Sequence, residues 1–207
     1  MNCDAEGCRS AAVIRIFELH EDGSLVHPML CEQHALTIIG GYYRKCTENK
    51  APLTRKTSAH FTLACIATCD ANDIAFVFLR GEDGTYFPLE MGKLEAWMLG
   101  VLLSRRAKTN RPSTHEAMAA LIDGLGGGLH EVIIDQIAEL DYRAKLQIAR
   151  SIDVVTVGVR ASDGIALAMA TGVPLRVDLE LISMNTARAA RSPVLEAFKR
   201  AGRASDR

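Results

Sequence analysis

A chain of 207 residues, 48% hydrophobic and 24% charged, can bury a core of its own, which excludes an intrinsically disordered protein. Its 24 basic and 25 acidic residues leave a formal net charge of −1, so any attraction to nucleic acid must come from local basic clusters. No apolar run approaches the ~20 residues of a membrane-spanning helix, and the first residues, MNCDAEGCRS, have neither a basic start nor an apolar signal core. We therefore expect a soluble, cytoplasmic protein with no membrane partner.

Residues 1–45 place two pairs of candidate metal ligands on either side of a predicted β-hairpin that turns at Asp22-Gly23. Thiolates and imidazole in close pairs suit a structural Zn²⁺ site, and a segment with few large apolar residues needs a metal in order to fold. The predicted ligands are Cys3, Cys8, Cys31 and His34. His20 and His27 are the alternatives for the histidine position. The segment also resembles treble-clef or ribbon-like zinc modules, which implies structural metal and leaves a protein partner open.

The next residues predict a domain boundary. Residues 46–58 are polar and basic, with one proline and no periodicity, which is typical of a linker. The larger domain is then expected over residues 59–183, and residues 184–207 form a predicted basic helical tail. Cys65 and Cys69 fall in a predicted strand of the larger domain, where core packing is the favoured interpretation.

The larger domain begins with three short β-branched and aromatic runs that predict a meander. Two helices follow, the second capped by Ser113 or Thr114. The predicted buried faces are Leu94, Met98, Val101 and Leu102 in the first helix, and Met118, Leu121, Ile122 and Leu125 in the second. A hairpin about Asp141, one more strand and a small-residue helix that ends at Gly172 complete the order. The absence of strict βαβ alternation predicts an α+β fold with a mixed or antiparallel sheet.

Polar residues of the larger domain supply what a phosphodiesterase needs, namely carboxylates for a divalent cation, an acid or base, and cations for the phosphate. The candidate catalytic residues are Glu95, Arg111, His115, Arg160, Ser162 and Asp163. The same residue types also occur in structural ion pairs and helix caps, and Ser162-Asp163 is itself a typical N-cap signature.

Three segments, PLEMGKLEA, RPSTHEAMAALIDGLG and VRASDGIALAMATGVPLRV, occur in an order that resembles the bifunctional nuclease domain family. The resemblance covers residues from about 60 to 182 and adds Glu116 to the candidate catalytic residues. It implies an α+β domain that forms homo-oligomers and, in some members, cleaves both DNA and RNA. Residue type then suggests Asp163 with Glu95 or Glu116 as carboxylates for Mg²⁺, Mn²⁺ or water, His115 as acid or base, and Arg111 and Arg160 as phosphate clamps.

The chain departs from the family pattern at several positions. Gly158 stands where the family has an acid, Ala161 where it has a proline, and Glu116 replaces the aspartate that follows Thr-His. Two functions therefore remain open, a metal-assisted nuclease and a catalytically weak or inactive adaptor that binds a protein or nucleic acid through the zinc module. Nucleic-acid binding without cleavage is a third.

Overall fold

A computed structural model describes residues 1–48, 58–69, 74–104, 111–138 and 141–189. The strands are β1 (Ile14–Leu19), β2 (Leu25–Val26), β3 (Met29–Leu30), β4 (Ser58–Cys69), β5 (Ile74–Gly81), β6 (Tyr86–Gly92), β7 (Gly128–Ala138), β8 (Asp141–Ala149), β9 (Val154–Arg160) and β10 (Leu175–Asp178). The helices are α1 (Glu32–Glu48), α2 (Lys93–Ser104), α3 (Thr114–Gly124), α4 (Ala161–Thr171) and α5 (Leu179–Ala189).

The described strands form one mixed sheet centred on β4. One edge of β4 pairs with β5, which pairs with β6, so the predicted meander is confirmed. The other edge is divided between β1, which pairs antiparallel with one end of β4, and β10, which pairs antiparallel with the other end. Beyond β10 come the parallel strand β7 and the antiparallel strands β8 and β9. The α+β prediction is confirmed.

Each face of the sheet has its own core, because successive side chains of a strand point to opposite faces. On β5, Ala75, Val77 and Leu79 join the core that packs against α2, α4 and α5. Phe78, between them, joins the core against α1, where its ring stacks on Tyr42 at a centroid distance of 5.0 Å. The N-terminal residues therefore cover one face of the sheet, and the helices that carry the predicted polar motifs cover the other.

The predicted buried face of α2 is wrong. Leu94 is 80% exposed and Met98 is 40% exposed, whereas Ala96, Leu99 and Leu103 are buried. Apolar residues lie on every side of this helix, so periodicity alone could not select the face. The small residues Ala96 and Gly100 select it instead, since they let α2 approach the sheet closely.

The predicted buried face of α3 is also wrong. Met118, Leu121 and Leu125 are exposed, and among the residues of α3 the buried side chain is that of His115. The helix start is as predicted: Ser113 is the N-cap, its hydroxyl accepts from the backbone N–H of Glu116, and the Glu116 carboxylate accepts in return from the Ser113 N–H. The capping box and the buried imidazole therefore fix the start of this helix.

Helix α4 begins differently from the predicted Ser162-Asp163 cap. Its N-cap is Arg160, whose side chain makes no capping bond, and the side chains of Ser162 and Asp163 turn to partners outside the helix. The predicted end at Gly172 is confirmed, because this glycine adopts a left-handed conformation (φ 75°) and its N–H bonds the Ala168 carbonyl.

The segments between the predicted units are partly described. Helix α1 continues to Glu48 and buries Cys46, so residues 46–48 are helical. The rest of the predicted linker up to residue 57 lies outside the described residues, as do 139–140 of the Asp141 hairpin and 190–207 of the predicted tail. The division into domains stays a prediction. None of the described helices is long and apolar enough to span a bilayer.

Candidate functional sites

The first candidate site is the cluster of zinc ligands predicted in the N-terminal segment. Its first pair comes from the loop before β1 and its second pair from the start of α1. Asp4 joins this loop to β3, because its N–H donates to the Met29 carbonyl (2.9 Å) and its carboxylate accepts from the Met29 N–H (2.7 Å). The loop is thereby held beside Cys31, which directly follows β3.

Distances within this cluster fit a tetrahedral metal site. The ligand atoms of Cys3, Cys8, Cys31 and His34 all lie within 4.8 Å of one another. Nδ1 of His34 lies 3.4 Å from Sγ of Cys3 and 3.2 Å from Sγ of Cys31, and the Sγ atoms of Cys8 and Cys31 are 3.9 Å apart. The edges of a zinc tetrahedron with sulfur and nitrogen ligands are ~3.6–3.8 Å long. The predicted ligand set therefore comes together and could hold a metal such as zinc.

The alternative ligands lie apart from this group. His20 is an exposed residue at the hairpin turn, and the ring of His27 lies against Phe17 at a centroid distance of 6.3 Å.

The other described cysteines are core residues. Burial raises the pKa of the Cys46 thiol to about 12 and raises the pKa of the Cys65 thiol as well, which is typical of core thiols. The side chain of Cys69 lies outside the described residues.

The second candidate site brings together five of the seven predicted polar residues. Both α2 and α3 pack against α4, and β9 leads directly into α4. The N-terminal end of α4 is therefore where the three resembled motifs meet. The residues that meet there are Glu95 of α2, His115 of α3, Arg160 at the end of β9, and Ser162 and Asp163 of α4.

Arg160 joins the two carboxylates of this cluster. Its Nη1 lies 2.6 Å from Oε1 of Glu95, and its Nε and Nη2 donate to the two carboxylate oxygens of Asp163 at 2.9 and 3.3 Å. The Arg160 side chain is 67% exposed, so the guanidinium faces solvent on its remaining side. Its pKa is raised, first by the hydrogen bond to Asp163 and further by the negative charges of Asp163, Glu95 and Asp141.

Ser162 and His115 support the carboxylates from within. The Ser162 hydroxyl donates to Oε1 of Glu95 at 3.2 Å, and the other Glu95 oxygen accepts from the Gly92 N–H at 3.1 Å. Nε2 of His115, which is 4% exposed, lies 3.4 Å from Oδ1 of Asp163. Burial by itself would raise the pKa of Asp163, but the hydrogen bonds and charges of Arg160 and His115 outweigh it, so this pKa is lowered.

The remaining predicted residues lie beside the cluster. Glu116 uses its carboxylate in the capping box of α3, and Arg111 is an exposed residue ahead of that helix. Asp153 cannot replace the acid that the family has at position 158, since it pairs with Arg150 at the opposite end of β9 from Arg160.

Sequence reasoning missed Asp141. It was assigned only to a turn, although its charge raises the pKa of Arg160. The pairing of β8 with β9 brings Asp141 toward Arg160, and residues 19 positions apart in the chain carry no local sequence signal for it.

The geometry joins two acids, one cation, one hydroxyl and one imidazole in a half-buried group that could handle a charged substrate. Comparison with known proteins identifies the family of this chain. Two uncharacterized proteins from two strains of Mycobacterium tuberculosis are each 35% identical to this chain over 103 residues, which cover 49% of the chain and 60% of the relative. The chain thus spans about 60% of the length of these curated relatives. A family model described as the bifunctional nuclease domain matches residues 77–189, more than half of the chain and all five clustered residues. The chain therefore belongs to the bifunctional nuclease domain family.

Proposed function

We propose that the protein hydrolyses phosphodiester bonds of DNA or RNA with the help of a divalent cation. The single observation that supports this proposal is the meeting of Glu95 and Asp163, from separate family motifs, on one exposed arginine, Arg160. A nuclease needs carboxylates beside a cationic group that can contact phosphate, and this arrangement supplies both.

The two carboxylates fit a cation that the substrate helps to bind. Among the described residues, three or more ligand atoms come within 4.8 Å of one another at the Cys/His cluster and not around Asp163. Mg²⁺ in proteins is usually held by one or two carboxylates together with substrate phosphates, so Glu95 and Asp163 suffice once a phosphate is present. Bound there, Mg²⁺ or Mn²⁺ would neutralise phosphate charge and activate water.

Each clustered side chain then has a role. Arg160, held by the acids in the free protein, turns its exposed guanidinium toward the phosphate, with Arg111 as the second clamp. His115 is buried against Asp163, so as acid or base it would exchange a proton at Nε2, the atom that faces this carboxylate. Ser162 holds Glu95 in place. Glu116 contributes to α3 through its capping bond, which makes it the weaker candidate for a catalytic carboxylate.

Cleavage of labelled single- and double-stranded DNA and RNA in Mg²⁺ or Mn²⁺ tests this proposal. Asp163→Asn and Glu95→Gln should each abolish cleavage, because each removes one carboxylate with little change in size. Asp153→Asn is the matched control, since it removes an ion-paired carboxylate at the far end of β9. Equal activity in all four proteins would point to a contaminant and contradict the assignment.

A non-enzymatic adaptor is the second candidate, and one observation favours it. Position 158 is a glycine where the family has an acid, and Glu95 and Asp163 are both ion-paired with Arg160 within the protein. In that case the wild type would cut none of the four substrates in either cation, and the zinc module would bind a protein partner instead.

The proposal also includes a cytoplasmic location and self-association. Among the described side chains, five cysteines form no disulfide, which suits a reducing compartment. Apolar side chains are exposed on both helices that flank α4, among them Leu94, Trp97 and Leu121. Such surfaces are typical of protein interfaces, which fits a homo-oligomer.

A further inference from the structure

The hairpin of β8 and β9 carries one arginine that has no acidic partner among the described residues. Lys145 pairs with Asp135, Arg150 pairs with Asp153, and Arg160 pairs with Glu95 and Asp163. The fourth basic residue, Arg143, is exposed and has no ion pair or side-chain hydrogen bond among the described parts of the chain.

Arg143 lies directly across from Arg160. The register of β8 and β9 pairs the two residues, so their side chains leave the same face of the sheet. Like charges directly opposite one another destabilise an antiparallel pair of strands. Glu95 and Asp163 form ion pairs with Arg160 but not with Arg143. An anion that binds between the two arginines would remove this repulsion.

The surface beside them is open. Gly158 lies two residues before Arg160 on β9, on the same face, and pairs with Lys145 of β8. A Cβ added at Gly158 would meet no atom within 4 Å. Glycine inside a strand is typical of positions where a ligand or another backbone approaches closely. We call the surface formed by Arg143, Arg160 and Gly158 the strip. It has the two arginines at one end and the exposed backbone of Gly158 beside them.

We infer that this strip, formed by Arg143, Arg160 and Gly158, binds the sugar–phosphate backbone of a single nucleic-acid strand, with Arg143 on the phosphate next to the one at Arg160. The inference rests on the proposed function, because it takes the substrate to be a nucleic acid. The inference gives the glycine at position 158 a role in binding, apart from the loss of the family acid. A side chain at this position would occupy the space in which the nucleic-acid strand lies.

Binding of labelled single-stranded DNA and RNA oligonucleotides to the full chain, titrated over a range of salt concentrations without added divalent cation, tests the inference. Arg143→Ala should weaken binding about tenfold and lower the slope of log affinity against log salt by about one phosphate contact. Arg143→Lys should keep the slope, because it keeps the charge. Arg15→Ala is the matched control: Arg15 is an exposed strand arginine on β1, which pairs with β2, β3 and β4 and not with β8 or β9, and its loss should change neither quantity.

A second variant tests the role of the glycine. Gly158→Asp should weaken binding, since it adds a negative charge and a side chain to the strip, and tighter binding would overturn this part of the inference. An Arg143→Ala variant that binds like Arg15→Ala would overturn the assignment of Arg143, as would a wild type that binds no oligonucleotide. These outcomes are separate from those for hydrolysis, because a protein that binds through Arg143 but never cleaves contradicts only the proposed reaction.

Discussion

The ring of Phe17 in β1 lies against Gly100 of α2 so closely that a Cβ at Gly100 would stand 2.7–2.9 Å from three of its atoms. Phe17 belongs to the N-terminal segment that carries the metal ligands, and α2 carries Glu95. The Phe17 ring therefore packs the N-terminal segment against the helix that carries Glu95. It also explains why α2 turns its small residues, rather than its largest ones, toward the sheet.

Gly100→Ala is expected to destabilise the protein by about 1–3 kcal/mol, because an added methyl group would overlap the Phe17 ring. Urea unfolding followed by circular dichroism measures the change. The matched control is Gly41→Ala in α1, where an added Cβ meets no atom within 4 Å. That variant should be as stable as the wild type or gain up to about 1 kcal/mol of helix propensity. A Gly100→Ala protein as stable as Gly41→Ala would contradict the close contact.

One zinc ion per chain is expected by elemental analysis of the purified protein, because the four ligand atoms already lie within 4.8 Å of one another. His34→Ala should lose this zinc and lower the melting temperature, since the metal holds the loop before β1 against the start of α1. His20→Ala and His27→Ala should keep the full zinc content. If His34→Ala kept its zinc and one of the two control variants lost it, the histidine replaced in that control would be the fourth ligand.

The carboxylate of Asp163 should make stability depend on pH in the acidic range. Its pKa is lowered in the folded protein, so its stabilising effect is fully present above the unfolded pKa of ~3.9 and is lost as the pH falls through the folded value. In protein without divalent cation, Asp163→Asn should therefore be less stable than the wild type at pH 7, by about 1 kcal/mol or less. Unfolding curves from pH 7 to pH 3 should show the difference shrinking below about pH 4. A difference that stays constant down to pH 3 would show that the charge is not responsible.

Ser113→Ala is expected to cost about 1 kcal/mol of unfolding free energy, because it removes the hydroxyl that accepts from the Glu116 N–H in the capping box. Thermal melting of the variant measures the loss. Thr114→Ala is the control, since Thr114 is the first residue of α3 and Ser113 fills the cap position. If the two substitutions were equally costly, the cap would not lie at Ser113 alone.

Local signals in the sequence predicted the strands of the larger domain, the start of α3, the end of α4 and the zinc ligands, because turns, caps and paired ligands depend on residues close together in the chain. The buried faces of α2 and α3 were not predictable from periodicity, since both helices have apolar residues on several sides. The role of Ser162 and Asp163 was also missed. Their side chains serve Glu95 and Arg160 instead of the helix start, and only the packing of α2 against α4 decides this.

The shared edge of β4 has a consequence for any shortened form of the protein. β1 covers the part of that edge from Cys65 to Cys69, while β10 covers the part from Ser58 to Phe61. A chain that began at residue 58 would leave the first part bare, with a row of unpaired amides beside the apolar side chains of Cys65 and Ile66. Such an edge is a template on which strands from other molecules can add, so the shortened protein should aggregate even though it would keep every residue of the family match.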